Sequence, residues 1–189
     1  IELLYAEAEC KNCDIVLGDI KIIGCNGNEE IQKGKRFLSE NLKNQYSNEG
    51  ISRAYFFNQW YTMAVNKLIK RDFILENTLY FKEGLLHEDI LWSLKLASKA
   101  NSMGVVKEFT YIYKLRSNSI AASLKERNIN DMLEILKLSG VVVDENKSNY
   151  FLRGKLRSVA NFMIRSVVSS SLDGSIKFNF LSKVKKIML

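Results

Sequence analysis

Two adjacent carboxylates, Glu88 and Asp89, directly follow His87, the single histidine among 189 residues. Carboxylates are favoured at the start of a helix, because unpaired N–H groups and the positive end of the helix dipole meet there. The pair therefore has two interpretations. In the first, the two acids only stabilise the start of a helix. In the second, one carboxylate faces a cleft and takes a proton from a substrate hydroxyl as a general base. A helical apolar pattern follows in Ile90, Leu91, Leu94, Leu96 and Ala97.

The elements around this pair alternate between strands and helices. Residues 15–17 are continuously apolar, which is typical of a strand covered on both faces. Such alternation predicts an α/β fold with few strands. The predicted elements are a helix over 2–10, a strand over 14–23, a short strand over 65–69, a helix over 71–76, the central helix over 88–100 and a strand or strand pair over 105–115.

The last part of the chain is predicted to be helical. Amphipathic spacing indicates helices over 127–140, 150–171 and 177–189. In the second of these, Phe162 is expected to face inward with the other apolar residues. The basic side chains of that helix are expected to project outward, and these are Arg153, Arg157 and Arg165.

Charge divides the chain near residue 146. Residues 147–189 carry nine of the 28 Lys and Arg residues but one of the 21 Asp and Glu residues, so their net charge is +8, while that of residues 1–146 is −1. This predicts a domain over 1–146 and a basic helical extension over 147–189 with an anionic partner. Apolar residues alternate with the lysines at helical spacing, as in helices that lie in a membrane interface, so an anionic membrane is favoured over nucleic acid. The apolar residues expected to insert are Phe178, Phe180, Leu181, Ile187 and Met188.

The composition excludes several classes of protein. Hydrophobic residues make up 47% of the chain and aromatic residues 11%, which is enough to bury a core and argues against a disordered chain. No uncharged run approaches the ~20 apolar residues that a membrane span requires. Cys10 and Cys13 have the spacing of some metal and redox sites, but no second cysteine pair or nearby histidine completes a zinc site. The three cysteines are therefore interpreted as reduced, packed residues.

A dense aromatic group precedes the short strand over 65–69. Aromatic residues at helical spacing usually pack in a core. They can also form a wall that stacks on the apolar C–H faces of sugars, and Trp60 is the best candidate for that role. The members of the group are Tyr55, Phe56, Phe57, Trp60 and Tyr61.

Three segments resemble the acceptor half of family 2 glycosyltransferases, which are inverting enzymes with the GT-A fold. They are NKLIKRDF at 66–73, GLLHEDILW at 84–92 and YIYKLRSNSI at 111–120. In the family these are an NKLY-R segment, a G-x-x-x-ED segment and a YYYR-x-R-x-x-S segment, in the same order and at similar spacing. Residues 2–5 and 14–16 also resemble the segments that come after the family's metal-binding motif. The resemblance extends to about residue 123.

The resemblance implies a partial GT-A, Rossmann-like α/β domain that transfers a sugar, with inversion, from a nucleotide-sugar donor to a saccharide or lipid-linked acceptor. The expected setting is cell-surface polysaccharide synthesis of the bacterial type. Asp89 is the implied general base, and Glu88 would position the acceptor or the base. Arg116, with Ser119, would approach the diphosphate, which a guanidinium can contact twice. The substrate-binding residues expected in this chain are Trp60, Asn66, Lys67, His87, Arg116 and Ser119.

Family members begin with a nucleotide-binding half that ends in an Asp-x-Asp-type motif, and no Asp-x-Asp occurs here. The chain is therefore interpreted as the later part of a longer enzyme, inactive by itself. The divalent metal that neutralises the leaving diphosphate, Mn²⁺ or Mg²⁺, would be held mainly outside this chain, with no metal ligand within it. The expected location is the cytoplasm, with peripheral docking at the inner face of the cell membrane.

A non-catalytic interaction module is the alternative. In that case Glu88 and Asp89 only begin a helix, and the basic C-terminal helices bind an anionic partner. No DNA- or RNA-binding motif is present, so nucleic acid is not the expected partner.

Overall fold

A computed structural model describes residues 1–23, 37–114 and 125–188. Within these ranges the chain forms seven helices and one three-stranded sheet, which confirms the prediction of an α/β fold with few strands followed by a helical region. The elements are α1 (Glu2–Lys11), β1 (Ile15–Ile23), α2 (Asn48–Phe56), β2 (Lys67–Ile69), α3 (Arg71–Glu76), α4 (Glu88–Lys99), β3 (Met103–Lys114), α5 (Glu126–Glu145), α6 (Tyr150–Val168) and α7 (Gly174–Met188).

The sheet is mixed and has the strand order β2-β1-β3. β1 pairs with β3 in parallel and with β2 in the antiparallel direction. Residues 15–20 of this central strand are all buried. Successive side chains of a strand point to opposite faces, so Ile15 and Leu17 join the main hydrophobic core while Val16 joins a smaller cluster. Burial on both faces explains why the apolar run in β1 is continuous.

The smaller cluster lies between α1 and the sheet, and Leu4 of α1 belongs to it. Gly18 of β1 allows the close approach at this point. A Cβ atom at Gly18 would overlap Thr110 Oγ1 and would lie 3.0 Å from Asn66 Nδ2 and 3.1 Å from Leu4 Cδ2. A side chain there would therefore force the neighbouring groups apart.

The cysteines differ in their surroundings. Cys13 is buried in the smaller cluster, and burial raises the pKa of its thiol. Cys10 is exposed, so the expectation of packing holds for Cys13 but not for Cys10. Both thiols are free. Cys25 lies outside the described residues.

The C-terminal helices share the main core with the rest of the chain. α6 packs against α2 and α5, and α7 packs against α5 and α6. The main core continues across residue 146, so the predicted boundary there remains a prediction that rests on charge. The core residues contributed by α6 and α7 are Leu152, Leu156, Ala160, Met163, Val167, Phe180 and Val184.

Two expectations about the orientation of these helices are wrong. Phe180 was expected to insert into a membrane, but it is 1% exposed because α7 packs this side of its surface on the core. Phe162 was expected to face inward, but it is 61% exposed because it lies at the edge of the buried stripe of α6. Phe178 is exposed, as expected.

No helix within 1–23, 37–114 or 125–188 combines the length and the apolar character that crossing a membrane would require.

Candidate functional site

Glu88 and Asp89 occupy the first turn of α4, as predicted. His87 immediately precedes the helix with φ 63° and ψ 32°, which is the left-handed region. This conformation is uncommon for residues other than glycine, and it turns the chain sharply into α4. The two carboxylates therefore lie at the positive end of the helix dipole, where their negative charge is stabilised.

The loop before α4 is held by the start of α5. Arg127 Nη2 donates a hydrogen bond to the carbonyl of Gly84 at 3.4 Å, and the backbone N–H of Leu86 donates to Asp131 Oδ2 at 3.2 Å. Asn128 Nδ2 lies 3.4 Å from Nε2 of His87. These contacts fix the loop that carries the two acids. Sequence reasoning missed this support, and the only signal for it was a group of polar residues on one side of an amphipathic helix.

Asp89 is half-buried and its carboxyl group has a raised pKa. Burial is the main cause, and the negative charge of Glu88 adds to it. His87 and Lys67 act in the opposite direction, because positive charge favours the carboxylate. Within 1–23, 37–114 and 125–188, no cation forms an ion pair with Asp89 within 4.0 Å. Asp89 is thus a carboxylate in a partly desolvated position, balanced by nearby charges rather than neutralised by direct contact.

Lys67 begins β2, and its ammonium group is enclosed by aromatic rings. Nζ lies 4.2 Å from the centroid of the Tyr61 ring and 5.8 Å from that of Trp60, and it donates a hydrogen bond to the carbonyl of Met63. Burial lowers the pKa of Lys67 to about 7, and the charge of Asp89 opposes this change. The structure therefore brings Lys67 and Asp89 within electrostatic reach of each other, although they are 22 positions apart in the sequence.

Asn66 supports the strand pair beside Lys67. Its φ of 59° is left-handed, its Nδ2 donates to the carbonyl of Asp19 at 2.9 Å, and its Oδ1 accepts from Thr110 Oγ1 at 2.8 Å. The hydroxyl of Tyr61 lies 2.7 Å from the Asn66 carbonyl and 2.8 Å from that of Gly18. Asn66 thus holds the turn into β2 against both other strands, and its contact with substrate stays a prediction.

Trp60 lies in the core rather than on a wall open to a ligand. It is 1% exposed, and its ring stacks on that of Tyr55 with centroids 4.4 Å apart. Its Nε1–H donates to the carbonyl of Ile51 at 3.4 Å. The burial favours core packing over the sugar-stacking role, because in this arrangement neither face of the ring is open to a ligand. We call Tyr55 and Trp60 the aromatic stack.

A second lysine, which is buried, contacts the aromatic stack from α6. Lys155 Nζ lies 4.1 Å from the centroid of the Tyr55 ring and donates a hydrogen bond to Asn58 Oδ1 at 2.7 Å. Burial lowers the pKa of Lys155 to about 8. The stack therefore has an ammonium group near each of its rings, Lys67 near Trp60 and Lys155 near Tyr55.

Asp19 is a buried acid in β1 that sequence reasoning did not select. Its Oδ1 accepts hydrogen bonds from the backbone N–H groups of Ile20 at 2.9 Å, Phe37 at 3.0 Å and Leu38 at 3.3 Å. Asp19 therefore anchors the segment that begins at residue 37. The available signal was an acid that closely follows the continuous apolar run over 15–17 in the same strand.

Arg116 and Ser119 lie outside the described residues. Across the described ranges, no three His, Cys, Asp or Glu side chains form a group that could hold a metal ion. The expectation that Mn²⁺ or Mg²⁺ is held mainly by groups outside this chain stays a prediction.

Known proteins resemble this chain in structure, whereas comparisons of its sequence found no match. No protein-family model matches the chain, and no curated protein matches it. Residues 1–349 of S. aureus TarS have a similar structure, with a TM-score of 0.66 and 18% identity over 99% of this chain and 51% of that chain. TarS 1–349 in complex with UDP-GlcNAc gives a TM-score of 0.63 and 18% identity over 100% of this chain and 53% of that chain. The chain thus spans about half the length of these structures, and at this identity the likeness shows the fold.

Proposed function

We propose that this chain is the acceptor-side part of a glycosyltransferase that moves a sugar from a nucleotide-sugar donor to a hydroxyl group of a saccharide or lipid-linked acceptor. The position of Asp89 carries the proposal, since it is a half-buried carboxylate at the start of α4 within electrostatic reach of Lys67. The fold supports it, because TarS is a glycosyltransferase whose structure is known with UDP-GlcNAc bound. The proposed setting is cytoplasmic synthesis of a cell-surface polysaccharide.

In the proposed reaction, the Asp89 carboxylate takes the proton of the acceptor hydroxyl. The acceptor oxygen uses the electron pair of its O–H bond to attack the anomeric carbon of the donor. The bond from that carbon to the diphosphate breaks in the same step, and its electron pair leaves with the nucleoside diphosphate. Because the attack and the departure occur on opposite faces of the sugar, the anomeric configuration inverts.

The environment of Asp89 suits this role. A raised pKa makes the Asp89 carboxylate a stronger base. It also brings the pKa of the base closer to the operating pH, where general-base catalysis is most efficient. His87 and Lys67 oppose the rise in the pKa of Asp89 that burial causes, because positive charge beside a carboxyl group favours its ionised form. Glu88 adds negative charge beside the base and is available to contact the acceptor. The contacts from α5 hold His87 and therefore the start of α4.

The proposed reaction assigns no step to a metal ion. The Mn²⁺ or Mg²⁺ that the resemblance implies would have to be held mainly by groups outside the described residues, and it would neutralise the leaving diphosphate. In the same proposal, Arg116 and Ser119 contact the diphosphate.

The test is Asp89→Asn in the longest natural protein that contains this chain. Nucleoside diphosphate release and glycosylated product are measured with UDP-GlcNAc and a panel of other nucleotide sugars, each with saccharide acceptors. We expect turnover to fall by about 10²–10⁴-fold, because removal of a general base typically costs that much. Binding of the nucleotide sugar by calorimetry is expected to persist.

Glu83→Gln is the matched control, because Glu83 is an exposed carboxylate in the loop before α4. This control is expected to retain normal turnover. Near-normal turnover of the Asp89→Asn variant would refute the assignment of Asp89 as the base. Absence of both transfer and nucleotide-sugar binding in the unaltered protein would refute the proposed function itself.

A further inference from the structure

The outer face of α6 combines arginines with exposed apolar side chains. We define this face by Tyr150, Arg153, Arg157, Phe162, Arg165 and Val168. At 100° per residue, the three arginines, Tyr150 and Val168 fall within about one third of the helix circumference, and Phe162 lies about 60° beyond the edge formed by Arg165. Tyr150 is 71% exposed, Phe162 61% and Val168 51%. The opposite side of the helix is buried in the main core.

The arginines of this face are available to an external anion. α6 contains no acidic residue. Within the described ranges, Arg153 and Arg157 form no ion pair or hydrogen bond through their guanidinium groups, and Arg165 Nε makes a 3.4 Å contact to the carbonyl of Asn161 in its own helix. Asp173, the single acid between 147 and 189, accepts hydrogen bonds from the backbone and side chain of Ser175 at 2.7 and 2.5 Å. The positive charge of the face is therefore not balanced locally.

The two ends of the outer face carry apolar surface. Near the C-terminal end, Phe162, Ile164 and Val168 line a shallow cleft of about 590 Å³ together with Arg165, Ser166 and Ser169. At the N-terminal end, Tyr150 belongs to a group of four neighbouring rings. Their centroids lie 4.9 Å apart for Phe56 and Phe57, 6.1 Å for Phe56 and Phe151, 6.4 Å for Phe57 and Phe151, and 6.0 Å for Tyr150 and Phe151. Phe57 is 57% exposed, so this group also meets solvent.

We propose that the outer face of α6 docks on the surface of an anionic lipid bilayer. Arginines bind phosphate groups with two parallel hydrogen bonds, and aromatic rings are favoured at the boundary between lipid headgroups and acyl chains. The aliphatic side chains of Val168 and Ile164 favour lipid over nucleic acid, because bases stack on aromatic rings and not on branched aliphatic groups. Membrane-surface binding combines burial of apolar side chains with attraction of basic residues to anionic lipids, and the outer face of α6 presents both kinds of side chain.

This docking face differs from the one expected from the sequence. That expectation placed the inserting residues on α7, where Phe180 proves to be buried. The inference does not depend on the proposed glycosyltransferase activity, because its test measures no reaction.

The test is sedimentation of the full chain with vesicles of equal parts phosphatidylglycerol and phosphatidylcholine, and with vesicles of phosphatidylcholine alone. We expect binding to the first, weakened by high salt, and little to the second. The combined variant Arg153→Gln, Arg157→Gln, Arg165→Gln is expected to bind on the order of 100-fold more weakly, since each basic residue near an anionic surface contributes about fivefold.

The control removes the same charge elsewhere, through Lys43→Gln, Lys82→Gln and Lys99→Gln at exposed positions. It is expected to bind much more tightly than the arginine variant. A second comparison uses two double variants. Phe162→Ser, Val168→Ser alters the outer face of α6, and Tyr46→Ser, Tyr80→Ser is its control, because the side chains of Tyr46 and Tyr80 are 63% and 56% exposed. Only the first combination is expected to weaken vesicle binding, and circular dichroism establishes that all variants are folded.

Equal losses in the two charge variants would overturn the proposal, because overall charge rather than this face would then govern binding. The proposal also fails if the Phe162 and Val168 variant binds vesicles normally. Binding of a single-stranded oligonucleotide as tight as vesicle binding, and insensitive to Phe162 and Val168, would identify a general polyanion surface and would overturn the assignment to lipid.

Discussion

The ammonium group of Lys155 lies 4.1 Å from the centre of the Tyr55 ring, so helix α6 reaches the aromatic stack beside the candidate site. Tyr55 in turn stacks on Trp60, and Trp60 is 5.8 Å from the ammonium group of Lys67. The buried Lys155, the partly buried Lys67 and the two rings between them thus connect α6 with β2. An isolated buried ammonium is costly, and here one hydrogen bond to Asn58 and one ring offset part of that cost.

The first prediction concerns stability and pH. The pKa of Lys155 is about 8 in the folded chain, against about 10.4 for an unburied lysine. Between these values the unfolded chain binds more protons than the folded chain, so the free energy of unfolding rises as the pH increases from 8 towards 10. Lys155→Met is expected to reduce this rise by about 1–3 kcal/mol.

Urea denaturation at pH 7, 8, 9 and 9.5 measures the effect. Part of the rise is expected to remain in the variant, because the pKa of Lys67 is also lowered, to about 7. The double variant Lys67→Met, Lys155→Met is therefore expected to have the flattest profile. If the free energy of unfolding depends on pH identically in the parent chain and in Lys155→Met, the pKa of Lys155 is not lowered by folding.

The second prediction compares two phenylalanines of α7. Phe180 is 1% exposed and Phe178 is 76% exposed. Phe180→Ala is expected to lower the free energy of unfolding by about 3–5 kcal/mol, because it leaves a cavity in the main core. Phe178→Ala is expected to change it by less than about 0.5 kcal/mol. Denaturant unfolding gives both values, and similar losses would contradict the orientation of α7.

The third prediction compares two glycines. Gly18→Ala is expected to lower the free energy of unfolding by about 1–3 kcal/mol, because the new methyl group would displace Thr110 from its hydrogen bond with Asn66. Gly140 lies within α5, and a Cβ atom there would meet nothing within 4 Å. Gly140→Ala is therefore expected to raise the free energy of unfolding by about 0.5–1 kcal/mol. Thermal denaturation of the two variants tests both directions, and a stabilising Gly18→Ala would refute the close approach.

The fourth prediction concerns the acid limb of the proposed reaction. The pKa of Asp89 is raised by burial, so kcat/KM is expected to fall below a pH that lies above the ordinary range of an aspartate. Lys67 lowers that pKa, and its removal in Lys67→Met is expected to move the acid limb to higher pH. Lys67→Arg keeps the charge and is expected to move the limb less. Coincident acid limbs in all three proteins would exclude an electrostatic effect of Lys67 on the base.

Local features of the sequence were enough to predict much of the fold. The start of α4 followed from Glu88 and Asp89, because acids favour a helix N-terminus and the apolar period begins directly after them. The burial of β1 on both faces followed from its unbroken apolar run. Both signals act between residues that are near each other in the chain, so no knowledge of tertiary packing was needed.

The site was less predictable, because its contacts join distant residues. Lys155 and Asn58 are 97 residues apart, so the hydrogen-bond partner that accompanies the burial of this lysine could not be found from the local pattern of α6. A tryptophan at position 60 is suited both to packing in the core and to stacking on a sugar. Only its neighbours in the fold distinguish the two roles. Phe162 lies at the border of the buried stripe, where a small rotation of the helix decides between core and solvent.

The contact between Lys155 and Asn58 has a consequence for how related chains would diverge. A substitution at position 58 that removes the amide leaves the buried ammonium group of Lys155 without its hydrogen-bond partner, so a change at position 58 favours a compensating change at position 155. Among the described residues, no ion pair holds the three arginines of the outer face of α6, so this face is free to vary with the surface that it meets. Among relatives, positions 58 and 155 are therefore expected to co-vary, while positions 153, 157 and 165 are expected to keep only their charge.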